Sequence, residues 1–240
     1  MTTPDATAVP DAWLRWGRPL LAEFLGTALL LVAVVGSGIM AVQLSPANTG
    51  VALLANAVAT AAALYVLITV FGRQSGAHFN PLVTALFWLR REIPGALALA
   101  YVPAQVLGGI AGVWLANAMF DLPVLQVSTH VRGGPGLWLG EGVATFGLML
   151  TILGGKREAP GQVPVLVAAW ILGAYWFTSS TSFANPAVTL ARTLTDTFAG
   201  IAPTSVPGFI VAQGLGALLA AVLLPRVFHG TWFGVDRPSR

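Results

Sequence analysis

Long apolar runs, separated by short groups of polar, glycine and proline residues, dominate this chain. Six runs are long enough to cross a hydrocarbon core of about 30 Å as helices, and we predict spans near 20–41, 50–71, 94–119, 137–154, 163–182 and 206–227. Two shorter runs, 80–89 and 185–194, would reach only about 15 Å at the helical rise of about 1.5 Å per residue. We expect re-entrant half-helices or interfacial helices there.

The scarcity of charge supports a membrane location. Only 9% of the 240 residues are charged, whereas about a quarter are charged in an ordinary soluble domain. No charged residue occurs between Glu23 and Arg73, or between Glu158 and Arg192. This pattern excludes a soluble globular protein and predicts an integral membrane protein with several spans.

The placement of basic residues predicts the orientation. Six spans put both termini on one side, and ten of the twelve Lys and Arg residues then share that side, while only Arg132 and Arg192 lie opposite. Because basic residues concentrate in cytoplasmic loops, we expect both termini in the cytoplasm. Residues 1–13 and 229–240 are predicted to be short tails, and the pI near 10 reflects topology rather than nucleic-acid binding.

The remaining composition bears on catalysis and metal binding. The chain has no Cys and only three His and nine acidic residues, so it offers no thiolate ligand and no cysteine nucleophile. Its sequence contains no nucleophile with a matching base, no metal-ligand cluster and no phosphate-binding loop. We expect neither an enzyme nor a protein with a cofactor or metal site.

The two halves of the chain repeat the same motifs in the same order. The matched elements are Glu23 and Glu141, Asn80-Pro81-Leu82-Val83-Thr84 and Asn185-Pro186-Ala187-Val188-Thr189, and Gln105 and Gln213. Because each half holds three spans, an odd number, the second half must be inverted relative to the first. We predict a single domain over residues 1–228 with inverted repeats at about 20–120 and 137–228. Such repeats place a substrate path at the midplane, where broken helices meet.

Each Asn-Pro motif carries the signals of a helix start. Asn is a favoured N-cap, and Pro is favoured at the first helical position, where its missing N–H costs nothing. In inverted halves both helix N-termini point to the membrane centre with their partial positive charges. A cation is repelled there, while each Asn amide can donate a hydrogen bond to a neutral oxygen in transit.

These residues resemble the aquaporin and glycerol-facilitator family, the major intrinsic proteins. The resemblance rests on Ala-Glu-Phe-Leu-Gly-Thr at 22–27, Ser-Gly-Ala-His-Phe-Asn-Pro at 75–81, Asn-Pro-Ala at 185–187 and the two Ala-Gln pairs. It implies an all-α membrane fold of six transmembrane helices and two re-entrant half-helices, assembled as a homotetramer with one pore in each protomer. It also implies that small neutral solutes or water cross the lipid bilayer passively, while ions are excluded.

The sequence departs from this family at the predicted constriction. Family spacing assigns the selectivity filter to Thr60, Gly173, Ser182 and Val188. The family usually has Arg in the place of Val188, and water-selective members set a large aromatic residue and a His against that Arg. All four residues here are uncharged and small or medium in size, and Leu82 replaces the usual Ala of the first motif. We therefore expect a wide filter with loose selection by size.

A wide filter favours solutes larger than water, such as glycerol and other polyols, urea, or metalloid hydroxides such as arsenite in its undissociated form. The pattern is similar to bacterial members associated with arsenic detoxification, and this likeness implies a bacterial inner (cytoplasmic) membrane. The alternatives are a water-selective aquaporin, a proton-coupled small-solute transporter, and a junctional or scaffolding membrane protein.

Four polar residues have more than one possible role. Glu23 and Glu141 are acids inside spans, which by default indicates function, but the resemblance implies buried acceptors that hold the Asn-Pro loops. His78 is expected to line the pore, either as a constant polar contact or as a pH gate. Arg192 is expected to cap the second half-helix or to pair with Asp196, or else to supply positive charge to the outer vestibule.

Overall fold

The computed structural model describes residues 11–228, and the regular structure in that range is helical. A short π-helical turn, Trp13–Gly17, precedes the first long helix. The main helices are α1 Arg18–Leu44, α2 Thr49–Ser75, α3 Pro81–Leu89, α4 Gly95–Met119, α5 Pro135–Glu158, α6 Val163–Phe177, α7 Pro186–Ala191 and α8 Val206–Val227. The predicted tail 229–240 and most of the predicted tail 1–13 lie outside the described residues.

Six helical segments are long and apolar enough to cross a membrane: α1, α2, α4, α5 and α8, and α6 together with the 3-10 turn Pro160–Gln162 that precedes it. The two short helices, α3 and α7, follow α2 and α6 directly. The predicted fold class of six spans with two half-helices is therefore confirmed.

The fifth span ends earlier than predicted. We expected helix over 163–182, but α6 ends at Phe177. Thr178 has an extended backbone, and its hydroxyl donates to the carbonyl of Ala174 at 2.6 Å. The Ser- and Thr-rich stretch after Phe177 satisfies backbone groups with side chains and so competes with helix continuation.

Asparagine and proline start both short helices. Asn80 Oδ1 accepts a hydrogen bond from Leu82 N at 2.9 Å, and Asn185 Oδ1 accepts one from Ala187 N at 3.0 Å. A proline occupies the first position of each helix. Both starts are therefore capped by the local signals that the sequence carries.

In each half of the chain, a glycine brings two helices into backbone contact. A Cβ at Gly108 of α4 would lie 2.3 Å from the carbonyl oxygen of Phe24 in α1, and a Cβ at Gly216 of α8 would lie 2.3 Å from that of Gly142 in α5. Small residues permit such close crossings in membranes. The crossings bring the α1 and α4 side chains, and those of α5 and α8, within hydrogen-bonding range.

Candidate functional site

A cavity of about 300 Å³ lies inside the helix bundle. Lining residues recur every four positions on α2 (Thr60, Leu64, Ile68, Gly72), α5 (Leu148, Ile152, Lys156) and α6 (Val163, Val167, Ile171, Tyr175). Residues four apart share one face of a helix, and the α2 row alone covers about 18 Å at about 1.5 Å per residue. The cavity is therefore elongated along the helices, with walls that are mainly apolar.

Two backbone segments, 76–80 before α3 and 182–185 before α7, complete the wall. They hold matching residues in left-handed backbone conformations, with φ values of 51°, 50°, 53° and 48° at Ala77, Phe79, Ser182 and Ala184. For residues other than Gly this conformation costs on the order of 1–3 kcal/mol, and it persists only where the surroundings enforce it. The repeated strain indicates that both loops are held in a defined shape.

Two buried glutamates hold these loops. Glu23 accepts hydrogen bonds from the backbone N–H groups of residues 78–79 at 2.9 and 2.7 Å. Glu141 accepts the equivalent pair from residues 183–184 at 2.8 and 2.9 Å. Because the N–H groups point to the glutamates, the loops are left with carbonyl acceptors to offer to the cavity.

Two glutamines extend the same network. Gln105 Nε2 donates to Glu23 at 2.8 Å and to the Thr84 hydroxyl at 2.9 Å. Gln213 repeats both bonds in the second half at 2.6 and 2.9 Å. The two glutamines therefore join helices to one another, and neither lines the cavity.

The two Asn-Pro motifs meet beside the cavity. Asn80 Nδ2 donates to the Ala184 carbonyl at 2.8 Å, and Asn185 Nδ2 donates to the Phe79 carbonyl at 2.7 Å. A side-chain amide has two N–H groups, so each Asn keeps one for a molecule in the cavity that both residues line. The N-termini of α3 and α7 thus approach each other and place positive ends of helix dipoles near one point.

The cavity separates one of the residues predicted for the selectivity filter from the other three. Thr60, Ser182 and Val188 line the cavity, whereas Gly173 does not. Side chains two positions apart on an α-helix point in directions about 200° apart around the helix axis. Gly173 therefore lies away from the face that carries Tyr175. A Cβ at Gly173 would instead meet the Phe177 ring at 3.3 Å. Gly173 therefore does not line this cavity, and its assignment to the filter stays a prediction.

Tyr175 is the residue that α6 contributes in this region. It is buried, it lines the cavity, and its hydroxyl lies 3.3 Å from Thr60 Oγ1. Its position in the four-residue row of α6 was the signal that sequence reasoning missed. The cavity wall near α7 therefore includes a phenol as well as small side chains.

Ser182 carries a hydroxyl that no other described residue bonds. Its Oγ is buried and has no hydrogen-bond partner among the described residues, and Ser182 lines the cavity. A buried polar group without a partner is costly, so a solute hydroxyl at this place would gain a favourable bond. Val188 lines the same cavity with an apolar side chain.

The side of the cavity near α3 carries a different set of residues. His78 Nδ1 lies 3.1 Å from the Thr84 hydroxyl, and the His78 ring packs on Phe87 with centroids 4.6 Å apart. Lys156 Nζ lies 4.4 Å from the Phe87 ring centre and 2.5 Å from Glu92 Oε2. His78 lines the cavity, and so do Phe87 and Lys156, which sequence reasoning missed. The four-residue row of α5 is the signal that identifies Lys156.

Arg192 occupies a position that the sequence did not favour. It is 3% exposed and lines the cavity. Its Nε donates to the Ala199 carbonyl at 2.5 Å, and its guanidinium carbon lies 3.4 Å from the Phe183 ring centre. Asp196 instead accepts from Thr129 N at 2.8 Å. The predicted Arg192–Asp196 pair is wrong because the chain folds back after α7 and presents a carbonyl, not a carboxylate, to the guanidinium.

Comparison with known proteins identifies the architecture. Residues 13–178 match the model of the major intrinsic protein family. The chain is 56% identical over 207 residues to the aquaglyceroporin AqpS of Rhizobium meliloti, which covers 86% of this chain and 88% of the relative. It is 30% identical over 234 residues to the aquaporin AqpM of Methanothermobacter marburgensis, which covers 84% and 94%.

A solved structure shares the fold. The X-ray structure of the aquaglyceroporin from Plasmodium falciparum matches with a TM-score of 0.68 at 21% identity, over 88% of this chain and 98% of that one. Members of the family are channels for water and small neutral solutes, not enzymes. The chain therefore belongs to the major intrinsic protein family and is an integral membrane channel.

Proposed function

We propose that this channel passes uncharged solutes larger than water: glycerol and similar polyols, urea, and undissociated metalloid hydroxides such as arsenous acid, together with water. The observation that carries this proposal is Val188, a medium-sized apolar side chain that lines the cavity where family members usually have Arg. The aquaglyceroporin name of the 56% identical relative supports a solute larger than water.

The wall matches the chemistry of a polyol. The loops before α3 and α7 offer carbonyl acceptors, and Asn80 and Asn185 each keep an N–H donor for the cavity. The rows of α2, α5 and α6 are mainly apolar. A polyol can therefore bond through its hydroxyls on one side while its carbon atoms contact the apolar rows on the other.

Ions lack comparable compensation in this cavity. An ion that leaves water loses its hydration and needs charged or strongly polar partners in return. The aliphatic side chains of the rows provide none, and the charged residues that line the cavity, Lys156 and Arg192, are both cations. The dipoles of α3 and α7 also disfavour a cation where the two helix starts meet. The same wall therefore favours neutral solutes over cations.

The region near α7 is proposed as the selectivity filter, with Thr60, Tyr175, Ser182 and Val188 as its members. The contact between Thr60 and Tyr175 orients two hydroxyls, and Ser182 adds a third that has no partner in the described chain. Val188 places a medium-sized apolar side chain, not a guanidinium, at its own position in the wall. Such a filter bonds a solute with several hydroxyls better than it bonds a single water molecule.

Orientation and assembly belong to the same proposal. Residues 1–228 form one channel domain of two inverted repeats, both termini lie in the cytoplasm, and the membrane is the inner membrane of a bacterium, as expected from the bacterial relative. The α3 side is then the inner mouth and the α7 side the outer one. Four protomers assemble, each with its own pore. Because the chain has no Cys, single cysteines at positions 133 and 239 can be labelled from one side to test the orientation.

Stopped-flow measurements on proteoliposomes test the solute range. Vesicles with the protein should take up glycerol and arsenous acid at least about tenfold faster than protein-free vesicles, and should also shrink quickly in an impermeant osmolyte. Fast water flow without glycerol or arsenite uptake would instead indicate a water-selective channel. Saturable counterflow that depends on a proton gradient would indicate a coupled transporter.

A further inference from the structure

Two arginines converge on one aromatic ring near α7. The guanidinium carbon of Arg192 lies 3.4 Å from the Phe183 ring centre, and that of Arg132 lies 5.4 Å from it. Arg192 follows α7, whereas Arg132 comes from the connection between α4 and α5. Of the two, only Arg192 lines the cavity. Separate parts of the chain therefore concentrate positive charge at this end.

Within residues 11–228 neither guanidinium has a carboxylate partner in a salt bridge. Both donate to the same turn between α7 and α8, at the consecutive carbonyls of Phe198, Ala199 and Gly200. Carbonyl dipoles fix the positions of the two cations but do not cancel their charge. Glu141, the buried acid of this half, is already bonded to two loop N–H groups and to Gln213.

Arg192 lies beyond Val188 along the second half-helix. The separation of four positions corresponds to about one helical turn, or roughly 6 Å, and Arg192 directly follows the last residue of α7. The Phe183 ring holds the guanidinium by a cation–π contact at 3.4 Å, an interaction that favours a fixed position. Width and charge are thus separated: Val188 lines the pore with an apolar group, and a fixed cation lies one turn away.

We propose that Arg192 is the residue that determines exclusion of cations in this pore, and that Val188 sets the width independently. The proposal rests on the channel function proposed above. A fixed positive charge within about one turn of the solute, in surroundings of low dielectric constant, lowers the entry of a monovalent cation by on the order of tenfold or more. A neutral polyol experiences no such barrier.

The test measures methylammonium and glycerol uptake by the same proteoliposomes and compares the ratio of the two permeabilities. Arg192→Met removes the charge but keeps a long side chain on Phe183, and Arg192→Lys keeps the charge. We expect the ratio to rise at least about tenfold in Arg192→Met and to stay within about threefold of the native value in Arg192→Lys. Arg73→Met, a change at an exposed arginine in the last turn of α2, serves as the control and should alter neither permeability.

The outcomes separate this proposal from the channel function. If Arg192→Met vesicles pass glycerol with an unchanged ratio, Arg192 is not the barrier. A rise in Arg132→Met alone assigns exclusion to the α4–α5 connection and also overturns the proposal. If Arg192→Met does not insert, Arg192→Gln, which keeps a donor for the Ala199 carbonyl, undergoes the same test. Native vesicles that pass no glycerol would instead contradict the proposed function.

Discussion

The two ends of the cavity have matching backbones but different side chains at corresponding positions. Near α3, the His78 ring packs on Phe87 with centroids 4.6 Å apart. Near α7, the corresponding residues are Phe183 and Arg192, and the guanidinium carbon lies 3.4 Å from the ring centre. Each pair is separated by nine positions in the sequence. Corresponding residues are therefore in contact in both repeats, but the contact is between two rings near α3 and between a guanidinium and a ring near α7.

The cations at the two ends differ in their compensation. Lys156 near α3 is 43% exposed in its side chain and is paired with Glu92 at 2.5 Å. Arg192 near α7 is 3% exposed and, in the described part of the chain, bonds to a carbonyl rather than a carboxylate. The cation at the α3 end of the cavity is therefore neutralised by a carboxylate, whereas the cation at the α7 end keeps its positive charge. The two repeats have matching contacts where the Asn-Pro loops meet, but they differ near α7, where the selectivity filter is proposed.

The largest effect is expected from removing a buried glutamate, which tests the symmetric part of the comparison. Glu23→Leu leaves two loop N–H groups, the Gln105 amide and the Ser75 hydroxyl without their acceptor. Each buried polar group that loses its partner costs about 1–3 kcal/mol. Both Glu23→Leu and Glu141→Leu should therefore abolish glycerol flux and lower the thermal unfolding temperature of the purified protein. Glu23→Leu should be the more damaging, because the Ser75 bond at 2.6 Å adds a donor.

Conservative and surface changes complete this comparison. Glu141→Gln keeps one acceptor oxygen and should lower the unfolding temperature by less than Glu141→Leu. Glu158→Leu changes an exposed acid at the end of α5 and should leave flux unchanged. Native unfolding temperature and native flux in Glu141→Leu would show that the loop before α7 does not depend on this carboxylate.

The second largest effect is expected at the paired valines of the two half-helices. Val83 and Val188 are counterparts in the repeat, and both are buried and line the cavity. Val188→Arg adds bulk beside Thr60 and Tyr175 and a second cation near Arg192. We expect glycerol permeability to fall more than about tenfold while water permeability falls less, as measured by stopped-flow light scattering.

The matched variant at the other end distinguishes a filter from simple blockage. Near α3 no counterpart of the Thr60–Tyr175 contact defines a hydroxyl site among the described residues, so Val83→Arg should lower water and glycerol permeability together. Val188→Ala is the control for loss of the native side chain and should leave glycerol permeability within about twofold. An unchanged glycerol permeability in Val188→Arg would mean that this position does not limit the pore.

Sequence patterns identified the elements of this fold because the signals for them are local. Apolar length predicted the six spans, and the Asn-Pro pairs predicted where α3 and α7 begin. The α6 span was predicted too long because apolar length alone does not register that a Thr or Ser hydroxyl can replace a helical hydrogen bond. Thr178 makes that replacement by donating to the Ala174 carbonyl.

The features of the site that sequence patterns missed depend on helix rotation and chain reversal, which local signals do not encode. Which face of α6 meets the cavity depends on how α6 packs against α2 and α5, and this choice separates Tyr175 from Gly173. Arg192 obtains its partner from a turn that returns seven residues later to Ala199. A helical spacing rule applied beyond Ala191, where α7 ends, could not anticipate that return.

A moderate effect is expected at Tyr175, which tests its proposed place in the filter directly. Tyr175→Phe removes the hydroxyl that lies 3.3 Å from Thr60 Oγ1 and should lower glycerol permeability about two- to tenfold, as expected for the loss of one hydrogen bond worth about 0.5–1.5 kcal/mol. Tyr65→Phe, at a tyrosine 48% exposed on α2, is the matched control. Gly173→Ala should have little effect. A larger loss in Gly173→Ala than in Tyr175→Phe would support the assignment made from family spacing.

The smallest effect is expected where a charge holds the α4–α5 connection over the α7 end. Asp196 accepts from Thr129 N at 2.8 Å and from the Thr129 hydroxyl at 3.0 Å, and His130 Nε2 lies 3.8 Å away. The hydrogen bonds from Thr129 hold the pKa of Asp196 below its ordinary value. A carboxylate with a lowered pKa in the folded state stabilises above its unfolded pKa of about 3.9 and loses that contribution as the pH falls through the folded value. The connection should therefore stay in place at neutral pH and loosen only in acid.

Hydrogen exchange at the Thr129 amide measures this contact. Asp196→Asn removes the charge at every pH and should speed exchange severalfold at neutral pH, while glycerol permeability changes by less than about twofold, because the contact is exposed and outside the cavity lining. Asp121→Asn, a change at another exposed acid of the same connection, should leave exchange at Thr129 unaffected. Equal exchange rates in Asp196→Asn and the native protein would assign the attachment to Arg132 instead. Its bonds to the carbonyls of Phe198 and Gly200 do not depend on the charge of Asp196.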